Sequence, residues 1–296
     1  MMDSNQMYPS APVLGVIGGS GLYHMPGLQD TQVLDLGTPF GKPSAPVTVG
    51  TLEGRRVAFL ARHGIGHFIM PSQVNYRANI YALKSLGVER IVSISACGSL
   101  REDYAPGQLV IPDQVFDFTR DRKRSFFGDG MVAHISVPDP FCPDLSRMLL
   151  TATQETGAVT HMGGTFITIE GPRFSTRAES NVFRTWGMSL IGMTTSPEVF
   201  LAREAEMCYA VMAHVTDYDC WHVSEDPVTV DVIIEILNRN TQIAQDAVKN
   251  LVRSLPAERP CECSRALATS LITRPEVIPP ETRQKLGLLV DKYLGG

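Results

Sequence analysis

The stretch Cys208-Tyr209-Ala210-Val211-Met212-Ala213-His214-Val215, followed directly by Thr216-Asp217-Tyr218-Asp219-Cys220-Trp221, reads as a buried strand that ends in two carboxylates. A strand period of two puts Asp217 and Asp219 on the same side of the strand exit. Charges at the mouth of a buried strand need a partner or a ligand, which makes the pair a candidate site. A strand closing in solvent-exposed turn residues accounts for two aspartates equally well. The rest of the chain decides between these readings.

Working outward, apolar runs and helical spacings alternate, as in an α/β protein. Val13 to Ile17 is a short strand that breaks at Gly18-Gly19-Ser20-Gly21. Val47 to Leu52 and Val57 to Leu60 read as strands joined by the turn signal Glu53-Gly54-Arg55. Ser72 is expected to cap a helix through Leu86, stopped by Gly87. Ile91 to Ser95 is a strand leading into Ala96-Cys97-Gly98-Ser99, and a helix is expected from about Asp144 to Thr156. Ser196 as N-cap and Pro197 at the first position predict a helix through about Tyr209. Val228 to Leu251 has amphipathic helical spacing, and Pro280 to Leu294 one more helix. Residues 1–12 read as a flexible arm, 13–256 as one α/β domain, and 257–296 as a C-terminal extension beyond the linker Pro256 to Pro260.

Composition excludes several classes. The 296 residues are 44% hydrophobic, enough for a sizeable core. The net charge of -5 argues against nucleic acid as a main partner. No apolar run approaches membrane-spanning length and no signal-like N-terminus appears, so a cytoplasmic location is expected. Cys97, Cys142, Cys208 and Cys220 lie in or beside apolar segments, where a free buried thiol is the default.

Three segments that follow strands offer anion-binding groups. Gly18-Gly19-Ser20-Gly21 exposes amides and a hydroxyl, but matches neither G-x-G-x-x-G nor the longer Walker loop. Ala61-Arg62-His63-Gly64 brings a guanidinium fork suited to phosphate beside a histidine. Ser95-Ala96-Cys97-Gly98 supplies amides and another hydroxyl. Ligands in open α/β sheets collect beyond the carboxyl ends of strands, so the coincidence favours one joint site. Thr194, near a helix start, adds a fourth donor.

Strings in collinear order carry a family resemblance: Ile17-Gly18-Gly19-Ser20-Gly21, Ala61-Arg62-His63-Gly64, Met70-Pro71-Ser72, Asn75-Tyr76, Ala96-Cys97-Gly98-Ser99-Leu100, Thr168-Ile169-Glu170-Gly171-Pro172-Arg173-Phe174, Arg177-Ala178-Glu179-Ser180, Met193-Thr194-Thr195 and Thr216 to Trp221. From about residue 13 to 250 the chain resembles the 5′-methylthioadenosine phosphorylases, in the trimeric branch of the purine nucleoside phosphorylases. The resemblance implies a single α/β domain with a mixed sheet, partly closed into a distorted barrel and flanked by helices. It implies phosphorolysis of methylthioadenosine to adenine and 5-methylthioribose 1-phosphate, with no metal, no organic cofactor and inorganic phosphate as co-substrate.

Position by position, the resemblance assigns phosphate binding to Ser20, Arg62, His63, Ser95, Ala96 and Thr194. It gives catalysis to Asp217 and Asp219, and substrate contact to Met193, Phe174, Asp217, Tyr218, Asp219 and His134. His134 would come from a neighbouring subunit of a homotrimer, with a hexamer as the alternative assembly. Ser175, Val230, Ile233 and Ile234 fall at specificity positions, the last three apolar as a methylthio group requires. Relatives often carry Thr at the positions of Ser20 and Ser95 and commonly Asn at that of Gly192. Cys261-Glu262-Cys263 resembles a C-x-C of some heat-stable archaeal relatives and is read as a reduced, solvent-facing pair. Remaining alternatives are a phosphorylase of adenosine or of a 6-oxopurine nucleoside such as methylthioinosine, a dinucleotide-dependent oxidoreductase, and a non-catalytic nucleoside-binding protein.

Overall fold

The computed structural model describes residues 11–19, 25–222 and 230–295, with the side chains of 230–239 excepted. Nine consecutive buried residues make Cys208–Asp217 (β11) the centre of an 11-stranded mixed sheet. Its parallel partner is Arg90–Ser99 (β5), and Leu14–Gly18 (β1) and Arg55–Ala61 (β4) follow in parallel on the other side. Val47–Leu52 (β3) and Gln29–Leu34 (β2) complete that edge antiparallel. The β3–β4 hairpin turns at Glu53 and Gly54, both at positive φ, as the turn signal requires.

Beyond β5 the sheet forks. One branch runs through Leu190–Gly192 (β10), Thr165–Ile169 (β9) and Gln114–Phe118 (β7), the other through β11, Leu109–Ile111 (β6) and Thr160–Met162 (β8). Among the described residues the branches do not hydrogen-bond to each other, so the curl is not closed by a ladder.

Strand alternation sorts the core. Ile17, Tyr209, Val211 and Ala213 face a cluster covered by Tyr76–Ser85 (α1), Thr195–Glu204 (α4) and Pro280–Leu294 (α6). Val16, Cys208, Ala210 and Met212 face another, covered by Pro143–Gln154 (α2) and the long Val230–Ser254 (α5). No described helix is long and apolar enough to cross a membrane.

Several boundaries differ from expectation. Asn75, not Ser72, caps α1, accepting from Ala78 N at 3.2 Å, while 71–73 form a separate 3-10 turn. β5 runs on through Ser99, so Ser95 and Ala96 lie within a strand and not in a loop after it. The helix after Pro197 stops at Glu204, because β11 needs the chain extended from Cys208. Ser196 itself is extended, as an N-cap residue should be. Arg177–Thr185 (α3), opened by a Thr176/Glu179 capping box, was not anticipated by the apolar pattern.

The C-terminal segment is packed on the body: Leu267, Leu286, Leu289 and Val290 belong to the core, and Arg90 donates to the carbonyls of Pro256 and Glu258. Cys261-Glu262-Cys263 is therefore not a solvent-facing pair, since Cys263 is 3% exposed and Cys261 half-buried.

Two buried polar groups stand out in this core. The Arg62 guanidinium, 2% exposed, pairs through Nε and Nη2 with both oxygens of Glu198, at 2.9 and 3.1 Å. His214, also 2% exposed, has no partner for either ring nitrogen among the described residues. Burial holds its pKa down at about 4, against an ordinary 6.5.

Removing one partner of a buried ion pair leaves the other charge uncompensated. Glu198→Gln is expected to lose about 3–5 kcal/mol, read from urea unfolding at fixed protein concentration. For His214 the unfolded chain takes up a proton near pH 6.5, whereas the folded chain resists until about 4. Stability is thereby lost as pH falls through that window, by about 3 kcal/mol at its acid end. Thermal unfolding of His214→Leu beside the wild type should show the difference shifting in favour of the variant between pH 7 and 4; a pH-independent difference would contradict this.

Candidate active site

The carboxyl ends of β1, β4 and β11 and the middle of β5 open on a cavity of about 650 Å³, a size suited to a nucleoside. Its walls include Gly19, Arg62, His63, Ser95, Ala96, Met193, Thr194, Phe174, Ser175, Asp217 and Asp219. Ser20 lies outside the described residues, as do the side chains of Val230, Ile233 and Ile234. His134 is exposed on another part of the chain and does not line the cavity. Nor does Tyr218, whose hydroxyl donates to Glu102 O at 3.1 Å while its ring stacks on His222.

Asp217 and Asp219 meet at the cavity, but not through strand alternation. A register shift between Val215 and Asp217 puts Asp217 opposite Gly98, and Thr216 fills the irregularity, its Oγ1 lying 3.2 Å from Cys97 O. The strand then ends, and Asp219 takes a left-handed conformation, φ +51°. Its backbone N–H donates to Asp217 Oδ1 at 2.7 Å, and the Thr216 hydroxyl donates to Oδ2 at 2.6 Å. The acid is thus aimed by its own chain neighbours. Burial raises the Asp217 pKa, the two hydrogen bonds oppose that rise, and the nearby Asp219 charge adds to it. Burial likewise raises Asp219. Gly98 makes room, since a Cβ there would sit 2.9 Å from Asp217 Oδ1.

The hydroxyl and cationic groups gather on other walls of the same cavity. Ser95 Oγ of β5 lies 3.2 Å from Thr194 Oγ1, two residues before the kink that opens the regular part of α4. Arg62 spends most of its five N–H donors internally: two on Glu198, one on Ser93 Oγ at 2.6 Å, and Nη1 on Ile94 O at 3.4 Å. One Nη1 hydrogen is left uncommitted among the described residues. Burial alone would lower this guanidinium's pKa, but Glu198 outweighs it and keeps Arg62 charged. His63 is held neutral, its pKa lowered to about 4 by burial and by Arg62. Its Nδ1 sits 2.8 Å from Ile69 O, which fixes the proton there and leaves Nε2 as an acceptor. His67 stacks on it at 4.3 Å and also lines the cavity.

The sequence did not single out Glu198, Arg122, His67 or His214. Arg122 is buried and clamps two loops, donating to Met193 O, Ser196 O, Glu170 O and the Glu170 carboxylate. It sits in the charge run Arg120-Asp121-Arg122-Lys123-Arg124, where nothing distinguishes the one buried arginine from its solvated neighbours. Gly192 also has a structural reason: a Cβ would meet the Phe166 ring at 2.7 Å, so the loop carrying Met193 and Thr194 packs against the core without a side chain there.

Residues 13–253 match the phosphorylase superfamily. The S-methyl-5′-thioadenosine phosphorylase of Geobacter sulfurreducens is 54% identical over 283 residues, covering 95% of this chain and 99% of that protein. Among solved structures, a methylthioadenosine phosphorylase from an Antarctic soil metagenomic library superposes with a TM-score of 0.91 at 46% identity, covering 95% of this chain and 99% of that one. A mutant adenosine/methylthioadenosine phosphorylase from Schistosoma mansoni in complex with methylthioadenosine gives 0.78 at 36% identity over 84% of this chain and 93% of that one. This chain belongs to the phosphorylase superfamily and, within it, to the family of the S-methyl-5′-thioadenosine phosphorylases.

Proposed function

We propose that the protein catalyses phosphorolysis of S-methyl-5′-thioadenosine, giving adenine and 5-methylthioribose 1-phosphate. The observation that carries this reading is a single cavity holding both a largely buried, pKa-raised carboxyl and a cluster of phosphate donors. A nucleoside binder has no use for the second set, and a hydrolase has no use for it either.

Phosphate attacks C1′ as the bond to N9 breaks, and the electron pair leaves with the purine. The sugar becomes cation-like, which the phosphate charge stabilises on the face it attacks. Asp217 serves the leaving base: in its protonated form it donates to N7, and its other oxygen accepts from the 6-amino group. Its raised pKa favours that form. Asp219 acts chiefly through its N–H, which positions the acid. Ser95, Ala96, Thr194, Arg62 and His63, with Ser20, receive phosphate. The neutral His63 accepts at Nε2 from a protonated phosphate oxygen. Met193 lies under the ribose, and Phe174 and Ser175 beside the base.

Val230, Ile233 and Ile234 form the 5′ pocket, and their apolar side chains match a thioether. His134, exposed in this chain, reaches the neighbouring subunit's site in a homotrimer. The reaction as written needs phosphate but no metal or organic cofactor. Residues 13–256 form the catalytic body, 257–296 an appendage packed on it, and the cytoplasm supplies the substrate.

Base release from methylthioadenosine, adenosine, methylthioinosine and inosine, each with and without phosphate, tests the reading. Phosphate-dependent release led by methylthioadenosine is expected; release without phosphate, or led by an inosine, would overturn it. Asp217→Asn presents an amide to the 6-amino group and removes the acid. Its kcat/KM for methylthioadenosine should fall by about 10²–10⁴, with a smaller loss for methylthioinosine, and equal losses for both would remove Asp217 from base recognition.

A further inference from the structure

Four cysteines distant in sequence converge away from the active-site cavity. Cys142 is the N-cap residue of α2, Cys208 opens β11, and Cys261 and Cys263 belong to the segment that follows α5. Their Sγ atoms all lie within 4.8 Å of one another, and all six cysteines of the chain are free thiols. Cys142, Cys208 and Cys263 are buried and Cys261 half-buried. None of the four lines the catalytic cavity.

We propose that Cys142, Cys208, Cys261 and Cys263 bind one zinc ion as a tetrathiolate site that fastens the C-terminal segment to the catalytic body. A tetrahedron with Zn–S near 2.3 Å has edges of about 3.8 Å. The observed spread needs only small side-chain adjustment, the shortest separation being Cys208 to Cys261 at 3.2 Å.

The four sulfurs come from three separate parts of the fold, and thiols are too weak as hydrogen-bonding groups to account for gathering them in one buried place. Four thiolates around zinc carry a net charge of −2, and the surroundings supply cations to meet it. Arg203 Nη1 lies 3.5 Å from Cys263 Sγ, and the Arg259 guanidinium adjoins Cys208. The N-terminus of α2 adds its dipole at Cys142. An all-sulfur tetrahedral set selects a soft, borderline divalent ion such as zinc over magnesium or calcium.

The competing chemistry is two disulfides. Cys261 and Cys263, one residue apart, make a strained and readily reduced bond, so the less strained oxidised pairing joins each to Cys142 or Cys208. A mutual arrangement of all four sulfurs is what a single central ion requires.

A zinc ion here would tie the start of β11, the strand whose far end carries Asp217, to the chain that leads into α6. Metal analysis of the full-length protein, purified with reductant and without added chelator, should find about one zinc per chain. A mercurial reagent should release that zinc as it titrates the protein's thiols, and the stripped protein should have a Tm lower by about 5 °C or more. Cobalt(II) replacing zinc should show intense thiolate charge-transfer and tetrahedral d–d absorption. The Cys261→Ser/Cys263→Ser variant should lose the zinc; if it fails to fold, the cobalt spectrum of the wild-type chain still decides. Metal-free protein with four free thiols, two disulfides by non-reducing alkylation and mass measurement, or zinc retained by the double variant would each overturn the site.

Discussion

The ion pair between Arg62 and Glu198 is the constraint on which the rest of the site depends. Arg62 leaves the end of β4 and reaches Ser93 on β5, and Glu198 on α4 in turn accepts from the Tyr209 hydroxyl of β11 at 2.7 Å. One buried pair therefore registers the two strands that flank β1, the central strand and a helix against one another. Such a pair is no strong source of net stability, because desolvation offsets most of its attraction. Its value lies in direction: misplacing either charge is costly, so few arrangements of these elements are tolerated. The hydroxyls proposed to receive phosphate inherit that fixed geometry, since Thr194 enters α4 and Ser95 lies on β5.

A similar logic operates on the neighbouring loops. Arg122 takes carbonyls from the turn after β9 and from the entry to α4, so the loop bearing Met193 and Thr194 cannot move independently of the loop that leads to Phe174. Glu170 closes this arrangement by accepting from the amides of Arg120 and Asp121. Backbone groups at strand ends have no ladder partner, and here a buried arginine supplies the missing donors. Rigid loops of this kind keep a site oriented before its ligand arrives.

How much of this was legible in the sequence follows from what each signal measures. Continuous apolar runs located β1, β3, β4 and β11, because burial on both faces leaves a plain trace, and Pro280 to Leu294 came out as α6 to the residue. The helix α3 left only its capping box, since Arg177–Thr185 buries just Ser180 and Phe183. In the recognised strings the residue types were visible but their work was not. Asn75 caps α1 and bonds to Phe40 O, and Glu179 closes a capping box and pairs with Arg173, so these positions serve the frame. Asp217 and Asp219 came together as expected, though by a bulge and a left-handed residue that no period-two argument contains. The four-thiol cluster was hidden for a related reason: only the Cys261/Cys263 spacing is local, and the other two sulfurs arrive through the topology.

The electrostatics of the cavity follow from the same burial. Desolvation pushes Asp217 towards its protonated form and keeps His63 neutral, and the Glu198 carboxylate cancels the Arg62 charge. The walls that would receive phosphate thus carry little net charge before it binds. Attraction must come from oriented hydroxyls, backbone amides and a single remaining guanidinium hydrogen, each a directional contact worth about 1.5–3 kcal/mol to a charged ligand. A site with an unpaired arginine would hold the dianion more tightly, yet it would also stabilise that charge where it rests. In a phosphorolysis the negative charge has to remain available to the cationic sugar, so an environment near neutrality, ordered but not strongly cationic, leaves more of the phosphate's charge for the transition state.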